Sequence, residues 1–72
     1  MRLNELKIGQ SAVICTLHHQ GPRLQRLLEM GLFEGSKVTL LRKAPMGDPL
    51  ELQVSDFKLS MRISDAALIE VA

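Results

Sequence analysis

The side chains able to ligate a metal are few: Cys15, His18 and His19 in one stretch, with Met30, Met46 and Met61 as softer thioether donors. A transition-metal site wants imidazole and carboxylate groups converging from several elements. Cys15 and His18 are three positions apart, so on a strand they point to opposite faces, as do the adjacent His18 and His19. No intramolecular metal site and no cofactor are therefore expected. Cys15, with Val13 and Leu17 on its face, reads as a small core residue, and His18-His19 as a polar strand end. A metal could still act through these side chains by bridging two molecules, which would show as metal-dependent self-association. Nucleophilic chemistry finds no footing. Ser11, Ser36, Ser55, Ser60 and Ser64 lack triad spacing to a histidine and suit turn chemistry. Gly31 and Gly35 serve a helix end and a turn rather than a phosphate cradle. The chain does not read as an enzyme.

Three regions could instead meet a partner. Arg23, Arg26 and Glu29 lie on the polar face of a short helix, where Arg26 and Glu29 have the spacing of a weak i,i+3 ion pair. Phe33 stands in the turn that follows. Pro45-Met46-Gly47-Asp48-Pro49 is a stiff loop carrying Met46 at its tip and Asp48 beside it. Met46 suits either an adaptable contact surface or a cover over a barrel mouth. An arginine finger reaching a nucleotide is a further role open to Arg23 or Arg26.

The elements that must hold these residues follow from period and punctuation. Leu3, Leu6 and Ile8 precede Gly9 as apolar pegs of an entry turn. Ala12 to His19 is a strand with two fairly apolar faces, so its second face is expected to be covered. Pro22 opens a helix in which Leu24, Leu27 and Leu28 share one arc. Gly31 ends it, with Leu32 folding back on Leu27. Phe33 to Ser36 has the pattern of a type II turn, with Gly35 where φ must be positive. Lys37 to Ala44 is β-rich. Leu50, Leu52 and Val54, then Phe57, Leu59, Met61 and Ile63, alternate with polar residues across a tight Ser55-Asp56 connection. Ser64 to Ala67 suits a single 3-10 turn before a closing strand, Leu68 to Val71. Five short strands, one helix after the first and a 3-10 turn before the last predict a mainly β, closed or half-closed barrel.

Composition narrows the functions such a barrel could have. With 72 residues the chain allows one domain, residues 1–72, and 46% hydrophobic residues allow it a core. A net charge of +1, with Phe33 and Phe57 as the aromatics, lacks the basic stripe and stacking rings of a nucleic-acid barrel. One cysteine excludes an internal disulfide and suits a reducing, cytoplasmic setting. No apolar run approaches the ~20 residues of a membrane span.

The residues also carry a resemblance. Arg26-Leu27-Leu28-Glu29-Met30-Gly31-Leu32, a two-residue gap, then Gly35 and Val38, is similar to the signature of the FeoA family, ferrous iron transport protein A. Leu3-x-x-Leu6-x-x-Gly9 with Ala12 and Ile14, the Ala44 to Pro49 loop, and Leu59-x-x-Arg62 with Ala66, Ile69 and Val71 match in the same order. Glu34 departs from the proline common there, which a type II turn tolerates. The resemblance implies an SH3-like barrel and a cytosolic accessory role beside FeoB, the ferrous iron transporter with a G-protein domain, and contact with the membrane only through that partner. The same barrel resembles the C-terminal domain of iron-dependent transcription regulators. With no DNA-binding or dimerisation segment ahead of it, the stand-alone form is the expectation.

Overall fold

Period-2 alternation and well-placed turns build the expected sheet, seen in a computed structural model that describes residues 1–72. A 3-10 turn at Leu3–Glu5 leads into β1 (Ser11–Leu17), followed by α1 (Gly21–Glu29), β2 (Lys37–Lys43), β3 (Leu50–Val54), β4 (Phe57–Met61), the one-turn α2 (Ile63–Ala66) and β5 (Ile69–Val71). The strands form one antiparallel sheet in the order β4-β3-β2-β1-β5. Since β4 and β5 do not pair, the barrel is half-closed. The outer edge of β5 is covered instead by the chain start: Arg2 bridges Glu70, and the Val71 N–H donates to the Met1 carbonyl at 2.8 Å. β4 keeps a free edge, where Lys58 discourages strand addition.

The core is aliphatic. Leu50, Leu52 and Val54 of β3 face Val38 and Leu40 of β2, and Ile14 and Ile69 close the far side. Leu3, Leu6, Leu27, Leu32 and Ala66 plug the openings from the non-strand segments. Two bulges curve the sheet. The one in β2 inserts Leu41, and the one in β1 inserts Cys15, near the point where β1 changes partner from β2 to β5.

That second bulge corrects the reading of Cys15. Cys15, the extra residue of the bulge, shares the exposed face of Ser11 and Val13 and is turned to solvent, not into the core. Ala12 and Ile14 supply the buried face of β1, and Val13 on the other face stays exposed, so nothing covers that second face. Ile8 is likewise no peg. It stands 64% exposed, because Gly9 and Gln10 already hold the entry segment by backbone bonds with Leu40. In α1 the docking stripe is narrower than the apolar arc: Leu27 is buried and Leu24 half-buried, while Leu28 faces out.

The end of α1 is built as its residues require. Gly31, at φ +91°, donates to the Leu28 carbonyl, and Leu32 donates to that of Leu27, both at 3.0 Å. The following turn closes with Ser36 N–H donating to the Phe33 carbonyl at 3.0 Å and Gly35 at φ +92°. The turn ahead of β5 begins at Ile63 and mixes two bond types. Ala66 and Ala67 reach back four residues, whereas Asp65 and Leu68 reach back three, as in a 3-10 turn.

Gly31 also fills a packing role. The Phe57 ring lies 3.3 Å from where a β-carbon on Gly31 would sit, whereas nothing lies within 4 Å at Gly35. Gly31→Ala is expected to lower stability in urea unfolding by about 2–4 kcal/mol, left-handed strain plus displacement of Phe57. Gly35→Ala should lose only the strain, about 1–2 kcal/mol. Equal losses would remove Phe57 from the account.

Candidate partner-binding surface

Three segments distant in sequence meet at α2. Asp48 of the β2–β3 loop accepts the Ile63 N–H at 2.9 Å, occupying one of the free donors at the first turn of α2. Arg23, in the first turn of α1, pairs with Asp65 on α2. His19, 5% exposed, places Nε2 3.7 Å from the same Asp65 carboxylate, and neither ring nitrogen has a hydrogen-bond partner. The loop and the start of α1 are thus clipped to one short turn. The ion pair adds under ~1 kcal/mol, because Arg23 is largely in water; its effect is to orient the guanidinium.

Five of the six candidate residues fall into two groups on this frame, with Arg26 between them on α1. Arg23, Met46 and Asp48 gather near α2. Met46 stands 92% exposed at the loop tip, so it does not cover the barrel mouth. Glu29 and Phe33 lie at the other end of α1, where Phe33 is 51% exposed in the turn that follows Gly31, and Met30 is exposed as well. Arg26 remains on the exposed face of α1 and makes no ion pair with Glu29. Both side chains keep their hydration and rotamer freedom there, which a weak surface pair does not outweigh.

Sequence reasoning missed two features. His19 is buried rather than part of a polar strand end; only His18 is exposed, within 3.3 Å of Glu70 on β5. The strand ends at Leu17, and the bend into α1 turns His19 under α2. The Arg23–Asp65 pair spans 42 positions, and no local pattern signals it. Period-2 alternation puts Phe57 in the inward-facing set of β4, yet the ring is 39% exposed and lies beside Gly31 rather than in the core.

No three histidine, cysteine or acidic side chains converge on a point. Ser11 and Thr39 share a 2.6 Å hydroxyl bond across β1 and β2, with no base attached. A groove runs over the β2–β3–β4 face, crossed by the Arg42–Glu51 pair and bordered by Leu59 and Lys58. No helix is long and apolar enough to cross a membrane. What the geometry offers is surface: an exposed Met-tipped loop and an exposed apolar helix end, both held by the same small barrel. This is the form of a small SH3-like barrel whose exposed features are suited to contact.

The chain belongs to the FeoA family: the FeoA domain matches residues 1–72. It is 42% identical over 71 residues to an Fe(2+) transport protein A/Fe(2+) transporter FeoB fusion protein of Porphyromonas gingivalis, a match covering 99% of this chain and 8% of that protein. The chain thus spans a small fraction of the curated relative's length. Its fold is similar to the FeoA protein of Chlorobium tepidum (TM-score 0.93, 38% identity, 99% of this chain and 68% of that one). It is also similar to Stenotrophomonas maltophilia FeoA, solved with zinc and described as a prokaryotic SH3 domain protein (TM-score 0.85, 33% identity, 100% and 89%). A manganese-dependent transcriptional repressor shares the fold alone, at TM-score 0.88 and 14% identity, over 100% of this chain and 40% of that one.

Two substitutions test the clip at α2. Asp48→Ala should cost about 1 kcal/mol and speed amide exchange at Ile63 before the rest of the sheet. His19→Leu removes a buried ring that satisfies neither nitrogen, so thermal unfolding should hold steady or rise by up to ~1 kcal/mol. A clear fall would mean that the His19–Asp65 contact stabilises the fold as a charged pair.

Proposed function

We propose that this chain is a cytosolic accessory module of ferrous iron uptake, a single domain that binds the cytosolic part of a FeoB-type transporter and modulates its cycle. The observation that carries this reading is the Porphyromonas gingivalis relative, in which a segment 42% identical to this chain shares one polypeptide with FeoB. Fusion holds two partners at high effective concentration, and a weak surface contact is what such tethering helps. The contact surfaces in this reading are α1 with its following turn and the Met46 loop. Arg23, Arg26, Glu29, Phe33, Met46 and Asp48 are the residues at or behind them. Both surfaces are exposed, small and unlike a catalytic pocket, which fits an effect on assembly, gating or nucleotide turnover in the partner.

The test is capture of the transporter from membranes by the full chain, with crosslinks mapped to residues. Crosslinks should fall within residues 21–36 or 44–49, and deletion of the protein in cells should lower ferrous uptake, with rescue by this chain. Arg23→Ala with Arg26→Ala should weaken capture about threefold to tenfold, roughly the effect of losing exposed charges from an interface rim. No association in membranes, or crosslinks confined to the β2–β3–β4 face, would overturn the reading.

A further inference from the structure

The outer edge of β5 is covered by the chain start, whereas β4 pairs with β3 alone. Register shows which backbone groups of β4 are free. The two-residue turn at Ser55-Asp56 makes Val54 and Phe57 a hydrogen-bonded pair. Alternation then bonds Leu59 to Leu52 and Met61 to Leu50, and turns the N–H and C=O groups of Lys58 and Ser60 away from β3. The other side of the hairpin agrees. Ser55 donates to the Lys37 carbonyl at 3.4 Å, so Gln53 and Glu51, in phase with it, turn their backbone groups to β2. Lys58 and Ser60 bond to no turn or loop, and both are exposed. Two donors and two acceptors thus stand in one row along the sheet edge.

The side chains of this row decide which strand fits. Asp56, Lys58, Ser60 and Arg62 occupy alternate positions, and the backbone at Arg62 is still extended, at φ −70° and ψ 146°. Asp56, Lys58 and Arg62 make no ion pair within the chain. Read antiparallel, the row is its own complement. With Lys58 of one copy opposite Ser60 of another, all the free backbone groups of both edges find partners. Asp56 then falls opposite Arg62 at each end, and Leu59, half-buried at the core margin, meets Leu59 of the second copy. The incoming Lys58 lies across Ser60 from Glu51, its neighbour on β3. A slip of one residue would oppose groups that β3 already holds. A slip of two sets Lys58 against Lys58 in one direction and against Arg62 in the other, like charges directly opposite. Lys58 therefore discourages other strands and other registers, and leaves this one open.

From this self-complementary register we infer that two copies of the chain pair through β4, antiparallel about a two-fold axis at Leu59, joining their sheets into one. The same surface serves both copies, so the contact closes at two chains. A single five-residue strand on each side buries far less than a standard interface, so the pairing is weak and reversible. This goes beyond transporter binding and stands or falls without it, because the isolated chain suffices to test it.

Sedimentation equilibrium and amide exchange of the purified protein are the measurements. The weight-average mass should rise from the 8.0 kDa monomer toward two chains, and no further, as concentration is raised from ~10 μM to ~1 mM, the range of a weak contact. Over the same range the Lys58 and Ser60 amides should slow by about twofold or more, as groups that become bonded only on pairing. Asp56→Arg and Arg62→Asp should each stay monomeric, because each sets like charges opposite one another at both ends. Mixed in equal amounts they should form a two-chain species, since each charge then faces its opposite. Ser60→Pro removes one outward N–H without touching the bonds to β3, and should also stay monomeric. Circular dichroism identifies any variant that is unfolded, in which case Asp56→Lys and Arg62→Glu replace the charge variants and Lys58→Pro replaces Ser60→Pro. Wild type monomeric at every concentration, a mixture of charge variants that stays monomeric, or association retained by the proline variant would each overturn the inference. Growth past two chains would overturn it in favour of an open-ended contact elsewhere on the surface.

Discussion

The contact of the Phe57 ring with Gly31 is the point on which the helical side of the molecule depends. α1 is only nine residues long, too short to persist in water without docking. Leu27 anchors it from within, and the Phe57 ring of β4 rests where a β-carbon on Gly31 would come within 3.3 Å of it, a contact that would make the ring shift. The same glycine supplies the left-handed turn that sends Leu32 into the core and lets Ser36 bond back to the Gly31 carbonyl at 3.0 Å. The helix end, the following turn and the Phe57 contact thus meet at one glycine.

A second constraint comes from size. A domain of this length cannot bury much surface, and here nearly all buried side chains are aliphatic, with His19 and Ser36 the buried polar exceptions. The barrel is completed by backbone bonds and short clips: the first residues against β5, Asp48 against α2, Arg23 against Asp65. Little volume is left for an enclosed site. The segments that the clips hold still, the start of α1 and the Met46 loop, lie on the outside of this frame.

What could be read from residues alone was what is local. The Gly31 helix ending, the Gly35 turn and the β3–β4 hairpin each rest on a handful of consecutive positions, and each was legible, as was the family from its ordered motifs. Cys15 was not, because both faces of β1 carry apolar residues, and only the fold shows that the Ala12 and Ile14 face is the buried one. Leu28 shares the apolar arc yet faces out, because a wheel shows which residues are apolar but not the angle at which the helix docks. At the candidate surface, the exposure of Met46 was left open because a loop methionine suits both burial and display. The Arg23 partner, Asp65, could not be read locally, because it belongs to an element that only the fold brings near.

The arrangement of the chain ends has a bearing on tethering. Met1 bonds to Val71 and Val13 exchanges two bonds with Ala72, so both termini leave from one edge of the sheet. A linker attached to either end would start from nearly the same place on the barrel. The domain could then be joined to a larger protein in either order along a polypeptide and still swing about a common pivot, with α1 and the Met46 loop presented in similar orientations. Order of fusion and geometry of contact are, for this fold, separable choices.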